Sequence, residues 1–92
     1  MTPARPAPVL VIEDSEDDFD TVEMAAGRLA PPPQLVHAPD ADAAARALER
    51  AAFSLVLLDI NLPGTSGEAL LGDIRRAPGT RLLPVVVYTT SV

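Results

Sequence analysis

The sequence contains no cysteine, no tryptophan and no lysine, and aromatic residues make up only 3% of it. Without cysteine, the chain can form neither a disulfide framework nor a thiolate metal site. No apolar run approaches the roughly 20 residues that a membrane-spanning helix needs. The N-terminal residues also lack the apolar core of a secretion signal, so we expect the chain to stay in the cytoplasm.

Basic residues are scarce. Seven arginines face 13 acidic residues, and the formal net charge is −6. This balance argues against nucleic acid or an anionic membrane as a direct partner. The chain has 92 residues, of which 48% are hydrophobic, and is sized for a single small domain. A domain of this size buries only about 60–65% of its unfolded surface, so we expect a thin stability margin.

Short apolar runs divide the sequence and predict four β-strands. They lie at residues 9–12, 34–38, 55–59 and 84–88. The second run is short and the most polar, which suits the edge of a sheet. Residues 1–8 are rich in proline and alanine without periodicity and predict an extended, disordered leader. We therefore expect the folded domain to span residues 9–92.

A first helical pattern follows the first strand. Ser15 is a good N-cap residue, and Asp18 three positions later completes a pair that resembles a capping box. The prolines at 31–33 are expected to end this helix. The residues expected to form its buried stripe are Phe19, Val22, Ala26 and Leu29.

Two further helical patterns lie between the later strands. Either Asp40 or Asp42 caps a helix over residues 43–52, and Gly67 begins another that ends at Pro78. The residues expected to face inward are Ala44, Ala47, Leu48 and Ala51 in the second helix and Leu70, Leu71 and Ile74 in the third. Strict alternation of strands and helices predicts an α/β domain with a parallel sheet and right-handed crossovers.

The most informative stretch is residues 54–64, where an apolar run ends in Asp59. The first strand has the same design, since its apolar run ends in Glu13 and Asp14. Burying a lone carboxylate is costly, so Asp59 is expected where its strand emerges. In open parallel sheets, ligands bind outside that carboxyl-terminal edge. Carboxylates gathered there repel one another unless a cation intervenes, and Mg²⁺ prefers such oxygen ligands.

In this order and spacing, the motifs resemble the receiver domain of two-component response regulators. The carriers of the resemblance are Glu13-Asp14, Leu57-Leu58-Asp59-Ile60-Asn61-Leu62-Pro63-Gly64 with Gly67 beyond it, and Pro84-Val85-Val86-Val87-Tyr88-Thr89. The ending Tyr88-Thr89-Thr90-Ser91 is similar to single-domain regulators that partner phytochrome kinases. The resemblance implies a flavodoxin-like, three-layer fold with strand order 2-1-3-4, which places Asp14 beside Asp59.

The resemblance also implies a role for each acid and for two polar residues. Asp59 would accept a phosphoryl group from a sensor histidine kinase, which makes the domain a signalling phospho-acceptor and not an enzyme. Asp14 and Asp59 would bind Mg²⁺ directly, Asn61 through its backbone carbonyl and Glu13 through water. Thr89 would donate its hydroxyl to the phosphoryl oxygen and report phosphorylation to the following loop.

The sequence departs from the family pattern in extent. It resembles four of the family's five βα units, and the lysine that the family places at the end of its fifth strand has no counterpart in these residues. We therefore expect Mg²⁺ binding to survive and signalling through the missing face to be lost. The fourth strand becomes an edge, one sheet face is covered by the first helix alone, and self-association through this apolar edge is expected.

Other interpretations remain open at the level of the sequence. Asp59 alone is compatible with a turn, although the matching acids on the first strand disfavour that interpretation. A receiver that has lost its switch would act as a dimerisation or interaction module. A phosphatase with an aspartyl nucleophile needs a second acid two residues later, where this chain has Asn61. His37 is expected to be structural or exposed, with no visible catalytic partner, and Tyr88 to serve packing. The acids at 16–20 are expected to form a solvated helix start.

Overall fold

The structure, a computed structural model, describes residues 7–62, 64 and 66–89. Its elements are β1 (Val9–Ile12), α1 (Glu16–Ala26), β2 (Leu35–Ala38), α2 (Ala41–Arg50), β3 (Leu55–Asp59), α3 (Gly67–Arg76) and β4 (Val85–Tyr88). The four strands form one parallel sheet in the order β2-β1-β3-β4. The predicted α/β fold and strand order are confirmed. None of the described helices is long and apolar enough to cross a membrane.

Most of the hydrophobic core lies on one face of the sheet. Alternate side chains of the two central strands point to this face, because successive residues of a strand face opposite sides. The helices α2 and α3 cover them. The buried residues of this cluster are Leu10, Ile12, Ala38, Ala44, Val56, Leu58, Leu62, Leu70 and Ile74. The inward positions predicted for α3 are thus confirmed at Leu70 and Ile74.

Some helix ends differ from the predictions, because a capping residue lies earlier in the sequence than expected. The predicted cap Ser15 is confirmed, since its side chain accepts a hydrogen bond from the Asp18 amide. However, α1 ends at Ala26 with Gly27 as its C-cap, well before the prolines. The prediction that Leu29 belongs to the buried stripe was therefore wrong, and Leu29 is exposed.

The choice between two caps for α2 is settled by the structure. Asp40 accepts a hydrogen bond from the Ala43 amide at 2.7 Å, so the helix begins at Ala41, two residues before the predicted start. It ends at Arg50, and Ala51, predicted to face inward, is an exposed C-cap. Ala44 is buried as predicted.

The opposite face of the sheet is only partly covered. Helix α1 packs there without any fully buried residue, and a groove of about 250 Å³ remains between it and the strands. Leu55 and Leu57 in β3 are half-buried, and Val86 in β4 is 50% exposed. Among the described residues, the prediction of a partly bare face beneath β3 and β4 is confirmed, and β4 forms an edge of the sheet.

The ends of the chain are described only in part. Residues 1–6 of the predicted leader lie outside the described residues, as do Pro63 and residues 90–92. The carbonyl oxygens of Ala7 and Pro8 accept hydrogen bonds from Ser54. The division of the chain into a leader and a domain stays a prediction.

Candidate functional site

Three carboxylates meet at the carboxyl-terminal edge of the sheet. Oxygen atoms of Glu13, Asp14 and Asp59 all lie within 4.8 Å of one another. Glu13 and Asp59 are 0% and 1% exposed, whereas Asp14 is exposed to solvent. The acids that the sequence predicts to share a site are thus brought together, with two buried members and one open to solvent.

Strand register explains this meeting of residues far apart in sequence. Ile12 of β1 lies opposite Leu58 of β3, so the residues that follow each of them, Glu13 and Asp59, emerge side by side. Their carboxylates leave the sheet on the face occupied by α1, because each stands one position beyond a core-facing residue. The apolar runs that fix the register therefore also fix the distance between the acids.

Every polar group of Glu13 is engaged by a neighbour. Its backbone N–H donates to Ala38, and its backbone carbonyl accepts from His37 Nε2. Its side-chain oxygens accept from the Ser15 amide at 3.2 Å and from the Tyr88 hydroxyl at 3.1 Å. A buried carboxylate with donors on both oxygens is held in one orientation.

The electrostatics of Glu13 reflect competing neighbours. Burial raises its pKa above 4.5, and the adjacent carboxylates Asp14 and Asp59 raise it further. The donors from Ser15 and Tyr88 oppose this rise. The pKa of Tyr88 is itself raised, first by burial and then by the charge of Glu13. Burial is the main cause of both pKa shifts, and the neighbouring negative charges add to it. A bound cation would relieve that charge.

A second group of contacts links Asp59 to the end of β4. The backbone N–H of Asn61 donates to Asp59 Oδ1 at 3.0 Å. The side-chain amide of Asn61 donates to Thr89 Oγ1 at 2.9 Å. Tyr88 is the register partner of Asp59. Asn61 and Thr89 therefore lie at the same edge as the acids, where the sequence predicts them.

Two residues of the site were underestimated from the sequence. Tyr88 was expected only to pack, yet its hydroxyl bonds to Glu13. His37 was expected to be structural or exposed, with no visible catalytic partner. It bonds to the Glu13 carbonyl and stacks on Phe19, with ring centroids 4.2 Å apart and planes 8° apart. The alternation of side chains along a strand was the available signal. Tyr88 stands two residues after Val86, so it points to the same face of the sheet as Val86, which is also the face of its register partner Asp59.

The donor set suits a hard divalent cation. Mg²⁺ takes oxygen ligands and commonly uses one or two carboxylates while keeping several waters. Here, two carboxylates are buried, and the exposed Asp14 leaves an approach from solvent. Their mutual repulsion favours a cation between them.

The chain belongs to the response regulator receiver domain family, whose model matches residues 9–92. Response regulator Rcp1 of Synechocystis sp. is 32% identical over 93 residues, which include 94% of this chain and 63% of that protein. The chain thus spans somewhat less than two thirds of this relative. Response regulator protein FleR of Pseudomonas aeruginosa is 47% identical over 57 residues, or 61% of this chain and 11% of that protein.

Solved structures show the same arrangement of elements. The Mn(2+)-bound form of response regulator Rcp1 has a TM-score of 0.82 at 32% identity and covers 94% of this chain and 67% of its own. The phosphorylated cyanobacterial phytochrome response regulator RcpA has a TM-score of 0.83 at 27% identity, with coverages of 96% and 68%. The predicted family is confirmed, and the site of this chain lies in a two-component signalling domain.

Proposed function

We propose that this chain is a phospho-acceptor that takes a phosphoryl group from the phosphohistidine of a sensor histidine kinase onto Asp59. The observation that carries the proposal is the cluster of Glu13, Asp14 and Asp59 within 4.8 Å at the end of β3. A receiver domain with such a cluster has both a nucleophile and a place for the cation that phosphoryl transfer needs.

The residues of this chain have distinct tasks in that reaction. An oxygen of Asp59 attacks phosphorus, the bond from phosphorus to the imidazole nitrogen breaks, and the electron pair stays on the imidazole. Asp14, Asp59 and the backbone carbonyl of Asn61 would hold Mg²⁺, with Glu13 acting through water. When bound, the cation neutralises charge on the transferring oxygens.

Asn61 and Thr89 are suited to respond to phosphorylation. The bond between the Asn61 side chain and Thr89 Oγ1 places the threonine hydroxyl at the end of β4, beside the strand that carries Asp59. A phosphoryl group on Asp59 offers three strong acceptor oxygens to this hydroxyl. Thr89 Oγ1 accepts its bond from Asn61, so its hydroxyl proton can be donated to the phosphoryl group. This donation would draw the end of β4 toward Asp59.

The first test is chemical phosphorylation. Incubation with acetyl phosphate and Mg²⁺ is expected to add the mass of one phosphoryl group, located at Asp59 by reduction of the acyl phosphate and peptide mapping. EDTA is expected to prevent the addition, because the three carboxylates then repel the incoming anion. Absence of the adduct in Mg²⁺, or an adduct on a different residue, would refute the proposal.

The same experiment separates the competing functions. A receiver that only mediates contacts would bind Mg²⁺ without forming an adduct. Repeated turnover of small phosphate esters would favour a phosphatase, which the amide of Asn61 argues against because it cannot serve as an acid or base.

The kinase partner is expected to be of the phytochrome type, since the names of the structures of RcpA and of the bacteriophytochrome regulator RtBRR describe regulators of that group.

Self-association through β4 is a separate prediction. Val86 and Val87 are 50% and 41% exposed on the two faces of this edge strand, and no charged residue lies between Pro84 and Thr89. Edge strands of this kind pair readily with a second copy. Sedimentation is expected to show a concentration-dependent dimer.

Matched variants test this interface. Val86→Lys is expected to yield a monomer, because a lysine on an edge strand blocks pairing. Leu82→Lys adds the same charge at a residue that is 86% exposed outside the strand, and it should leave the dimer intact. A wild-type monomer at high concentration would contradict the prediction.

A further inference from the structure

Tyr88 makes a contact that spans the sheet. It ends β4, and its hydroxyl reaches past β3 to Glu13 Oε1 on the far side, at 3.1 Å. The two residues are 75 positions apart in sequence. The contact passes the end of β3, where Asp59 is the register partner of Tyr88. Tyr88 therefore ties together the two strands that flank the proposed phospho-acceptor.

Apart from the neighbouring carboxylates of Asp14 and Asp59, the other contacts of Glu13 come from β2 and from its own loop. Ala38 and His37 engage its backbone, and Ser15 engages Oε2. These contacts fix where Glu13 sits and hold one carboxylate oxygen. The Tyr88 hydroxyl supplies the donor on Oε1 and so fixes the rotation of the carboxylate about its own axis.

We propose that Tyr88 is a positioning residue that holds Glu13 in the orientation needed for Mg²⁺ binding. This inference rests on the proposed function, because it concerns the same Mg²⁺ site. Glu13 lies beside Asp14 and Asp59, and their repulsion favours rotation of its carboxylate away from them. A donor on Oε1 opposes that rotation without adding a charge that would compete with the cation.

Hydrogen bonds from outside the ligand shell commonly change metal affinity by about 10–100-fold. In Tyr88→Phe the ring and its packing remain, and only the donor to Glu13 is removed. We therefore expect Mg²⁺ to bind about tenfold more weakly to Tyr88→Phe in calorimetric titrations. Loss of a donor to a buried carboxylate should also lower the unfolding temperature in EDTA. A control that loses a hydrogen bond elsewhere therefore separates positioning from loss of stability.

A control removes a hydroxyl from another part of the fold. The Thr80 hydroxyl donates to the Ile74 carbonyl at 2.7 Å, beyond the end of α3 and away from the acids. Thr80→Val should lower the unfolding temperature and leave Mg²⁺ affinity unchanged. Adding Tyr88→Phe to Glu13→Gln should cause no further loss of affinity, because interacting residues give non-additive effects.

The sequence provides a spectroscopic probe at the residue in question. Tyr88 is its single tyrosine and it has no tryptophan, so emission excited in the aromatic band reports Tyr88. A carboxylate acceptor quenches phenol emission by drawing the phenolic proton in the excited state. Mg²⁺ draws negative charge away from Glu13, and tyrosine emission is expected to rise along the calorimetric binding curve. In Glu13→Gln this rise should be lost.

The outcomes separate the inference from the function on which it rests. Failure of the wild-type protein to bind Mg²⁺ would overturn both. Normal binding and phosphorylation of the wild type, with unchanged or tighter Mg²⁺ binding to Tyr88→Phe, would overturn the role of Tyr88 alone. A Mg²⁺ titration that leaves tyrosine emission flat while heat is released would have the same consequence.

Discussion

Two glycine-to-alanine substitutions in the same helix are expected to change stability in opposite directions. A Cβ atom at Gly67 would lie 2.7 Å from Ile60 Cα and 3.0 Å from the Asp59 carbonyl oxygen. Both are backbone atoms that cannot move without shifting the end of β3. Gly67→Ala is therefore expected to destabilise the protein by about 1–3 kcal/mol, the usual cost of overpacking a tight site.

Gly72 provides the matched comparison. A Cβ atom there would lie 3.3 Å from a guanidinium nitrogen of Arg76, the far end of a flexible and exposed side chain. Alanine is favoured over glycine in a helix interior by about 0.5–1 kcal/mol, so Gly72→Ala should stabilise the protein by about that amount. Thermal unfolding followed by circular dichroism would measure both changes.

The position of Gly67 gives its substitution a second consequence. Its backbone N–H donates to the Ile60 carbonyl, so the start of α3 is held against the residue that follows Asp59. A shift of this junction would displace the acids relative to one another. We expect Gly67→Ala to lose most of its stabilisation by Mg²⁺, whereas Gly72→Ala should keep it. Equal destabilisation by both substitutions would show that close approach at Gly67 is not the cause.

The sequence predicted the parts of the site that depend on strand ends. An apolar run that ends in a carboxylate identifies both a buried strand and the point where it leaves the core, and this logic placed Glu13, Asp14 and Asp59 correctly. The glycine at position 67 was recognised as part of the motif and as a helix start. That this position has no room for a side chain is evident only from the structure, where a Cβ atom would lie too close to Ile60 Cα.

The remaining features depend on three-dimensional packing. The alternation of side chains along β4 indicates which face of the sheet Tyr88 points to, but it does not join Tyr88 to Glu13. That contact also needs the strand order, the register and a side-chain orientation together. The end of α1 was misplaced because Gly27 and the bonds that follow it close the helix before the prolines can act. The stacking of His37 on Phe19 also depends on packing between elements, because the sequence assigned Phe19 only to the buried stripe of α1.

Asp59→Asn is expected to abolish phosphorylation while making the metal-free protein more stable. An amide is not a nucleophile toward phosphorus, so acetyl phosphate should leave no adduct at this position. Asparagine has nearly the same shape, and its Oδ1 can still accept from the Asn61 amide. The substitution therefore removes the nucleophile and one negative charge without removing the local turn.

The gain in stability follows from the crowding of three carboxylates. At an effective dielectric constant of about 20, two unit charges about 5 Å apart repel by about 3 kcal/mol. The hydrogen bonds that Glu13 accepts from the Ser15 amide and the Tyr88 hydroxyl offset part of this repulsion in the wild type. We therefore expect Asp59→Asn to raise the free energy of unfolding in EDTA by about 1–2 kcal/mol.

Mg²⁺ should reverse the order of stability. A cation that binds the folded state stabilises it according to its concentration and affinity, so the wild type should gain stability with added Mg²⁺ and Asp59→Asn should gain little. Glu49→Gln makes the same change of carboxylate to amide on an exposed residue near the end of α2 and should alter neither stability nor the response to Mg²⁺ by much. If Asp59→Asn were less stable than the wild type in EDTA, Asp59 would serve the fold more than the reaction. The buried acid would then be a structural residue and not one kept at a cost in stability for phosphoryl transfer.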